Sequence, residues 1–232
     1  LYLILNNSKD IDKVEIKRLV QKWFIMSTLT SRYIGSPESQ MDKDLRSIAS
    51  KGFKEYFKEV EDAELSDTFW SVGLVQNLET SSINSPYFNT YIAAQVWNAE
   101  QSLFSSTTKV SDLVAVTGDV HHIFPKEYLR QNGYEDKSKY NQVANYTYLD
   151  TGVNISIGKK APNEYFTKAK EQCACGECCI GTILDADELY RNLEINCIPA
   201  TILNMQACNY DEFLHERRKM MAEKIKKYYY SI

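Results

Sequence analysis

The chain has 232 residues, of which 44% are hydrophobic and 25% are charged, and its formal net charge is −4. A chain of this length and composition buries a core without cross-links, which excludes the disordered and collagen-like classes. The longest apolar run near the start, residues 1–5, is too short to cross a bilayer, so we expect no membrane partner. The first residue is Leu rather than Met, which predicts a piece of a longer protein.

Charge and cysteine are both unevenly distributed along the chain. Residues 121–170 carry eight basic and five acidic side chains, residues 171–214 carry one and eight, and residues 215–232 carry six and two. The basic blocks would hold a polyanion locally, although charge alone favours the interpretation that they are solvated faces. All six cysteines lie within residues 173–208, and without an export signal we expect reduced thiols and a cytoplasmic location.

The first half of the chain is predicted to be helical. Apolar residues between Ile11 and Leu29 recur at spacings of one, three and four, which indicates one buried helix face. Ser36-Pro37 and Ser85-Pro86 predict helix starts, with serine as the N-cap and proline in the first turn. A further helical stretch over residues 41–60 is broken at Gly52.

The pattern changes after Ser105. Residues 110–116 are short and rich in β-branched side chains, and a turn pair at Thr117-Gly118 leads into residues 119–125. Pro125 ends any strand there because it cannot donate a ladder hydrogen bond. A second strand is predicted over residues 146–149, and helices are predicted from Pro162 and over residues 210–229.

Two of the three histidines are adjacent, at His121 and His122, and asparagines follow at 145 and 154. Burying both histidines would require partners for four ring nitrogens, so packing alone explains the pair poorly. The third, His215, is expected to face solvent on the last helix, whose basic residues, including Arg217, either contact DNA backbone or keep the helix soluble.

The segment "HHIFP" resembles the His-x-x-Pro start of an HNH, or ββα-metal, nuclease motif. His122 precedes Asn145 by 23 residues, Asn145 precedes Asn154 by nine, and Lys159 follows five later, with the nine-residue interval being typical of HNH motifs. The runs "HHIFPKEYL", "NQVANYTYLD", "NISIGKKAPNEYF" and "YDEFLHERRKMMAEKI" resemble the C-terminal nuclease domain of the GmrSD-type restriction and antiphage defence family. The N-terminal "KRLVQKWFIMSTLTSRYIGS" resembles the helical segment that leads into it.

This resemblance implies a role for each residue of the motif. His122 would be the general base, Asn145 would fix the histidine loop by hydrogen bonding, and Asn154 would be a metal ligand on the helix. His121 departs from the family, which usually has an acidic ligand there, and Asp119 would supply a carboxylate from the same side of the strand. The phosphate-binding candidates are Lys159 and Lys160.

The implied cofactor is one divalent cation, Mg²⁺ or Mn²⁺, with the imidazole of His121 shifting preference towards Mn²⁺, Co²⁺ or Ni²⁺. A structural Zn²⁺ is a separate hypothesis, on Cys173, Cys175, Cys178 and Cys179. Their spacing is not that of paired Cys-x-x-Cys motifs, and an insertion loop with incidental thiols is the alternative interpretation.

The sequence therefore predicts an α+β fold, mostly helical, with an embedded ββα-metal element. We expect a helical region at 1–108, the nuclease element at 109–170, and a cysteine-containing insertion and C-terminal helix at 171–232. The predicted function is a metal-dependent endonuclease acting on DNA, the effector module of a GmrSD-like restriction system directed at phage DNA. The resemblance implies an N-terminal nucleotide-dependent domain in the same full-length protein, and pairing of two cuts would need a homodimer. The alternative function is a catalytically degenerate module of the same fold that binds DNA or protein.

Overall fold

The structure, a computed structural model, describes residues 12–116 and 120–232. It is mostly helical with one small antiparallel sheet of two strands, which confirms the predicted α+β class at that level. The described residues divide into two compact units, the first formed by 12–74 and 226–232 and the second by 75–225. The predicted three-part division follows motifs rather than contacts and stays a prediction.

The first unit contains three long helices and one π-helical turn, and the predicted break at Gly52 is confirmed. Gly52 separates two of these helices with φ +87°, a backbone conformation that residues other than glycine rarely adopt. Aromatic rings fill the core, with Phe53, Tyr56 and Phe57 all packed around Trp23. The elements are α1 (Lys13–Leu29), α2 (Pro37–Lys51), α3 (Phe53–Glu64) and the π-helix (Phe69–Gly73).

The second unit contains the sheet, short helices around it and four helices of ten residues or more. The predicted start at Ser85-Pro86 is confirmed, because the Ser85 hydroxyl accepts a hydrogen bond from the backbone N–H of Phe88 at 3.2 Å. The elements up to the second strand are α4 (Leu74–Asn77), α5 (Pro86–Trp97), α6 (Val110–Ala115), β1 (Val120–His122), α7 (Lys126–Gln131), α8 (Lys137–Tyr140), a 3₁₀ turn (Val143–Asn145) and β2 (Tyr146–Tyr148). They are followed by α9 (Thr151–Ile157), α10 (Pro162–Cys175), α11 (Ala186–Ile195), 3₁₀ turns at Ala200–Asn204 and Ala207–Asn209, and α12 (Tyr210–Ser231).

The β-branched stretch over residues 110–116 forms the helix α6 rather than extended structure. Asp112 explains its start, since that carboxylate accepts the backbone N–H of Lys109 at 3.0 Å, as in a capping box. The last helix, α12, belongs to the second unit up to Ile225 and to the first from Lys226. Within the two described ranges, no helix combines the length and the apolar character that crossing a bilayer requires.

Candidate active site

The strands β1 and β2 place the histidine pair beside the second half of the motif. They pair antiparallel, with His121 opposite Thr147 and His122 opposite Tyr146. The sheet ends after His122 because the chain turns through residues 123–125 into α7. Three residues in each strand make a short ladder, so the site depends on other hydrogen bonds for its shape.

Asn145 supplies several of those bonds. Its side chain is fully buried; Oδ1 accepts the backbone N–H of Phe124 at 2.8 Å, and Nδ2 donates to the carbonyls of Phe124 at 3.1 Å and Tyr140 at 3.2 Å. The backbone carbonyl of Asn145 accepts the N–H of Ile123 at 2.8 Å, and the buried hydroxyl of Tyr165 donates to the carbonyl of Ile123. The turn after the histidine pair is therefore held on both sides by side chains from distant parts of the sequence.

Arg217, on α12, supports the same two-stranded sheet. The sequence interpretation of this residue was wrong. Its side chain is 0% exposed, so it neither keeps the helix soluble nor reaches a DNA backbone. Its guanidinium donates to the carbonyls of Ala144 at 2.9 Å, Tyr146 at 2.7 Å and Asn196 at 3.2 Å. His215, on the same helix, is exposed as predicted.

The periodicity of α12 would have identified Arg217 as buried. Phe213, Met221 and Ile225 are fully buried, and Arg217 lies four residues after the first and four before the second. Residues four apart share one face of a helix, so the arginine lies in the middle of the buried face. Its charge concealed this position, because arginine is seldom fully buried unless it is paired.

His122 lies half-buried at the end of β1. Its Nε2 is 2.9 Å from Oδ1 of Asn141, and its ring meets the ring of Tyr146 edge-on with centroids 5.2 Å apart. Burial lowers the pKa of His122; the hydrogen bond with Asn141 opposes this, while the nearby charges of Lys126 and His121 add to the lowering.

The predicted residues of the first strand, the helix and the following loop come together at one pocket of about 240 Å³. His121 and His122 line it from β1, Asn154 from α9, and Lys159 from the loop after that helix. The helix α9 ends at Ile157, and the next residue, Gly158, has a φ of +58° that turns the chain towards Lys159 at the pocket.

The pocket also contains Lys126 and Glu127, which the sequence interpretation missed. Both lie in the first turn of α7, directly after Pro125. That proline ends the strand and starts the helix, which was the available indication that the chain turns here and keeps these two residues close to the histidines. Lys160, in contrast, does not line this pocket, because its ammonium group donates to the carbonyl of Ser156.

The remaining predicted metal ligands are Asp119 and the cysteine cluster. Asp119 lies outside the described residues. Of the cluster thiols, those of Cys175, Cys178 and Cys179 are exposed and that of Cys173 is partly buried, and all are free. Over residues 12–116 and 120–232, no three His, Cys, Asp or Glu side chains gather as a metal-binding group, and the zinc site stays a prediction.

A buried glutamine organises the cysteine loop. Oε1 of Gln172 accepts the backbone N–H groups of Cys179 and Ile180, both at 2.8 Å. Its Nε2 donates to the carbonyls of Ile180 at 2.9 Å and Ile183 at 2.7 Å. Hydrogen bonds of the protein itself therefore define the path of this loop.

Comparison with known proteins finds one distant relative. An uncharacterized protein of Methanocaldococcus jannaschii is 26% identical over 164 residues, which make up 71% of this chain and 26% of that protein. The matched region thus spans about a quarter of the archaeal protein's length. No protein-family model and no solved structure matches the chain. Because the relative is itself uncharacterized, the similarity carries no activity to this chain.

Proposed function

We propose that residues 120–160 form an HNH-type ββα element and that the chain is a metal-dependent endonuclease acting on DNA phosphodiester bonds. The observation that supports this most is the convergence of His121, His122, Asn154 and Lys159 on one pocket, although they span 39 residues of sequence. They lie on a strand, a helix and the loop after that helix, in the order that the motif requires.

Hydrolysis of a phosphodiester needs a base for the attacking water. The imidazole of His122 is suited to this because an unperturbed histidine titrates near neutral pH. Asn145 fixes the turn that follows His122, since its amide bonds both backbone groups of Phe124. The base is thereby held at a constant position relative to the pocket.

The donor set of the pocket fits a partly hydrated divalent cation. The ring of His121, the amide oxygen of Asn154 and the carboxylate of Glu127 are the described groups of the pocket that would hold it, with water completing the shell. A bound cation would supply stabilisation of the negative charge on the leaving oxygen. The mixture of imidazole, amide and carboxylate accommodates Mn²⁺, Co²⁺ or Ni²⁺ as well as Mg²⁺.

Two ammonium groups give the pocket its affinity for phosphate. Lys126 and Lys159 border it, and neither side chain is buried. Lysine binds phosphate as a point charge and does not require a fixed geometry, so flexible side chains serve this purpose. The backbone of DNA is the polyanion that such a site would meet in a cytoplasmic defence protein.

The wider biological role follows from the family resemblance. We assign the chain as the effector module of a GmrSD-like restriction system, with a nucleotide-dependent domain elsewhere in the full-length protein. A single site of this kind cuts one strand per event, so double-strand cleavage would require two copies.

The experiment compares the wild-type chain, His122→Ala and the matched control His215→Ala on supercoiled plasmid with Mg²⁺, Mn²⁺, Ni²⁺ or EDTA. We expect metal-dependent nicking that His122→Ala lowers at least about 100-fold, the usual contribution of a general base. His215→Ala removes an exposed histidine outside the pocket and should cut as the wild type does.

Equal cleavage by wild type and His122→Ala would exclude His122 as the base. Plasmid binding without cleavage by any variant, repeated with the full-length protein and nucleotide, would favour the degenerate DNA-binding module instead. Binding is measured by fluorescence anisotropy in the same buffers.

A further inference from the structure

The contact between His122 and Asn141 links two parts of the motif that are 19 residues apart. Nε2 of His122 and Oδ1 of Asn141 are 2.9 Å apart, within the range of a good hydrogen bond. Both side chains are half-buried, so the bond is partly shielded from competing water. Asn141 follows α8 directly and occupies its C-cap position.

The backbone of Asn141 is held in place by its neighbours. Its N–H donates to the carbonyl of Lys137 at 3.0 Å, which closes the last turn of α8. The carbonyl of Tyr140 accepts from Nδ2 of Asn145 at 3.2 Å and from the hydroxyl of Tyr210 at 3.2 Å. Because Asn145 also bonds Phe124, a single buried amide fixes the segments on both sides of the His122–Asn141 contact.

The chemistry of the two groups determines where the proton lies. A neutral imidazole carries one proton, and an amide oxygen only accepts hydrogen bonds. With Oδ1 of Asn141 facing it, Nε2 of His122 carries the proton and Nδ1 keeps its lone pair. Within the described ranges, no residue forms a hydrogen bond with Nδ1 of His122.

We infer that Asn141 is a positioning residue that holds His122 as the Nε2–H tautomer, so that Nδ1 is the nitrogen that takes the proton from water. The inference rests on the proposed nuclease function and adds to it the tautomer and its cause. Asn141 directly follows Tyr140, whose carbonyl Asn145 binds, and the sequence interpretation gave Asn141 no role. Its carbonyl takes the place that a carboxylate or backbone carbonyl occupies in many histidine-based sites.

The first test is spectroscopic and independent of cleavage. Histidine side chains labelled with ¹⁵N are observed at about pH 8, where imidazoles are neutral, with EDTA present. Ring N–H protons exchange rapidly unless they are hydrogen-bonded, so we expect a resolved proton on Nε2 of His122 in the wild type. The chain has only three histidines, and His122→Ala and His215→Ala assign the signals.

The variants at position 141 determine what protects that proton. Asn141→Ala should lose the signal, whereas Asn141→Asp, which keeps an acceptor oxygen and loses the amide donor, should retain it. A wild-type proton on Nδ1, or an Nε2 signal that persists undiminished in Asn141→Ala, would overturn the inference. Gln142→Ala is the matched control, since that amide bonds Ser138 and Arg218 and not His122.

The second test is kinetic. A general base contributes about 100- to 10,000-fold to the rate, and loss of the group that orients it should forfeit part of this, so we expect kcat to fall about 10- to 100-fold for Asn141→Ala with KM nearly unchanged. Asn141→Asp should recover to within a few-fold of wild type, and Gln142→Ala should match it. Equal loss in Asn141→Asp and Asn141→Ala would contradict the positioning role.

The two tests separate the inference from the function on which it rests. Absence of cleavage by the wild type, also in the full-length protein with nucleotide, together with an Nε2 proton that is lost and retained as predicted, would refute the nuclease and leave the orientation of His122 by Asn141 established. Cleavage by the wild type, with a ring-proton signal that is unaltered in Asn141→Ala, would support the nuclease and refute the orientation of His122 by Asn141. Unfolding midpoints measured on all variants identify any that fail to fold.

Discussion

Each unit contains a buried polar side chain with several hydrogen bonds, but the partners differ. In the first unit, Asp44 is 2% exposed and accepts from the side chains of Arg32, Tyr33, Tyr56 and Gln40. In the second, the fully buried Asn145 bonds only backbone groups.

The difference follows from the amount of regular structure around each residue. The long helices of the first unit satisfy their own backbone, so a buried carboxylate is free to connect side chains between helices. The two strands of the second unit have only three residues each. The turns beside them leave backbone groups without a partner in the sheet, and a side-chain amide must satisfy these groups. The Asp44 cluster therefore stabilises packing, whereas Asn145 and Arg217 define the path of the chain at the candidate site.

The largest expected effect is on the Asp44 cluster. Asp44→Ala leaves the buried guanidinium of Arg32 and two tyrosine hydroxyls without their acceptor, and we expect a loss of about 3 to 5 kcal/mol in the free energy of unfolding. Urea denaturation measures it. Asp42→Ala, on the same helix, breaks only an exposed pair with Arg46 and should cost about 0.5 kcal/mol or less. Similar losses in the two variants would show that the cluster is not the stabilising element.

Arg217 is expected to come next. Arg217→Met keeps the apolar stem but leaves the buried carbonyls of Ala144, Tyr146 and Asn196 without this donor, which we expect to cost about 3 kcal/mol. Arg218→Met is the control, because that side chain is only half-buried and bonds a side-chain amide. If Arg217→Met were no more destabilising than Arg218→Met, the three carbonyls would have found other donors. The proposed support of the sheet by Arg217 would then be wrong.

Asn145→Ala is expected to have a smaller effect on stability, about 2 kcal/mol, because it removes an uncharged group together with its bonds. Its effect on the site should be more specific, with loss of the His122 Nε2 proton signal even though Asn141 is intact. Asn132→Ala, which removes an exposed amide bonded to the carbonyl of Tyr128, is the control. An unchanged ring proton in Asn145→Ala would show that the turn holds its shape without this amide.

Local sequence patterns predicted much of this arrangement. The break at Gly52, the helix start at Ser85-Pro86 and the two strands follow from residue conformational preferences that act over a few positions. The spacing of the motif likewise selected His122 and Asn154, which line the pocket.

Contacts between distant segments were not predictable in the same way. Glu127 borders the pocket because the first turn of α7 lies beside the histidine pair. Asn141 contacts His122 although the two are 19 residues apart in sequence. Neither residue has a local pattern that distinguishes it from a solvated polar side chain. Arg217 is intermediate, since its helix periodicity indicated burial but its charge argued against it.

The smallest expected effect is the pH dependence of the Asp44 cluster. Burial by itself raises the pKa of Asp44, but the hydrogen bonds from Arg32, Tyr56, Tyr33 and Gln40 outweigh it and hold the pKa below its usual range. A carboxylate whose pKa is lowered by folding contributes stability that is complete above the unfolded value, about 3.9, and is lost as the pH falls through the lower, folded value.

We therefore expect the difference in free energy of unfolding between wild type and Asp44→Asn to have the same, maximal size at pH 7 and pH 5 and to shrink below about pH 4. Urea denaturation at pH 7, 5 and 3 measures it. Comparing the two proteins at each pH removes the contribution of other carboxylates, including Asp136, whose pKa is lowered by its hydrogen bonds with Ser138. A difference as large at pH 3 as at pH 7 would mean that the cluster stabilises through the shape of the side chain rather than through its charge, which would make it more like the neutral amide of Asn145.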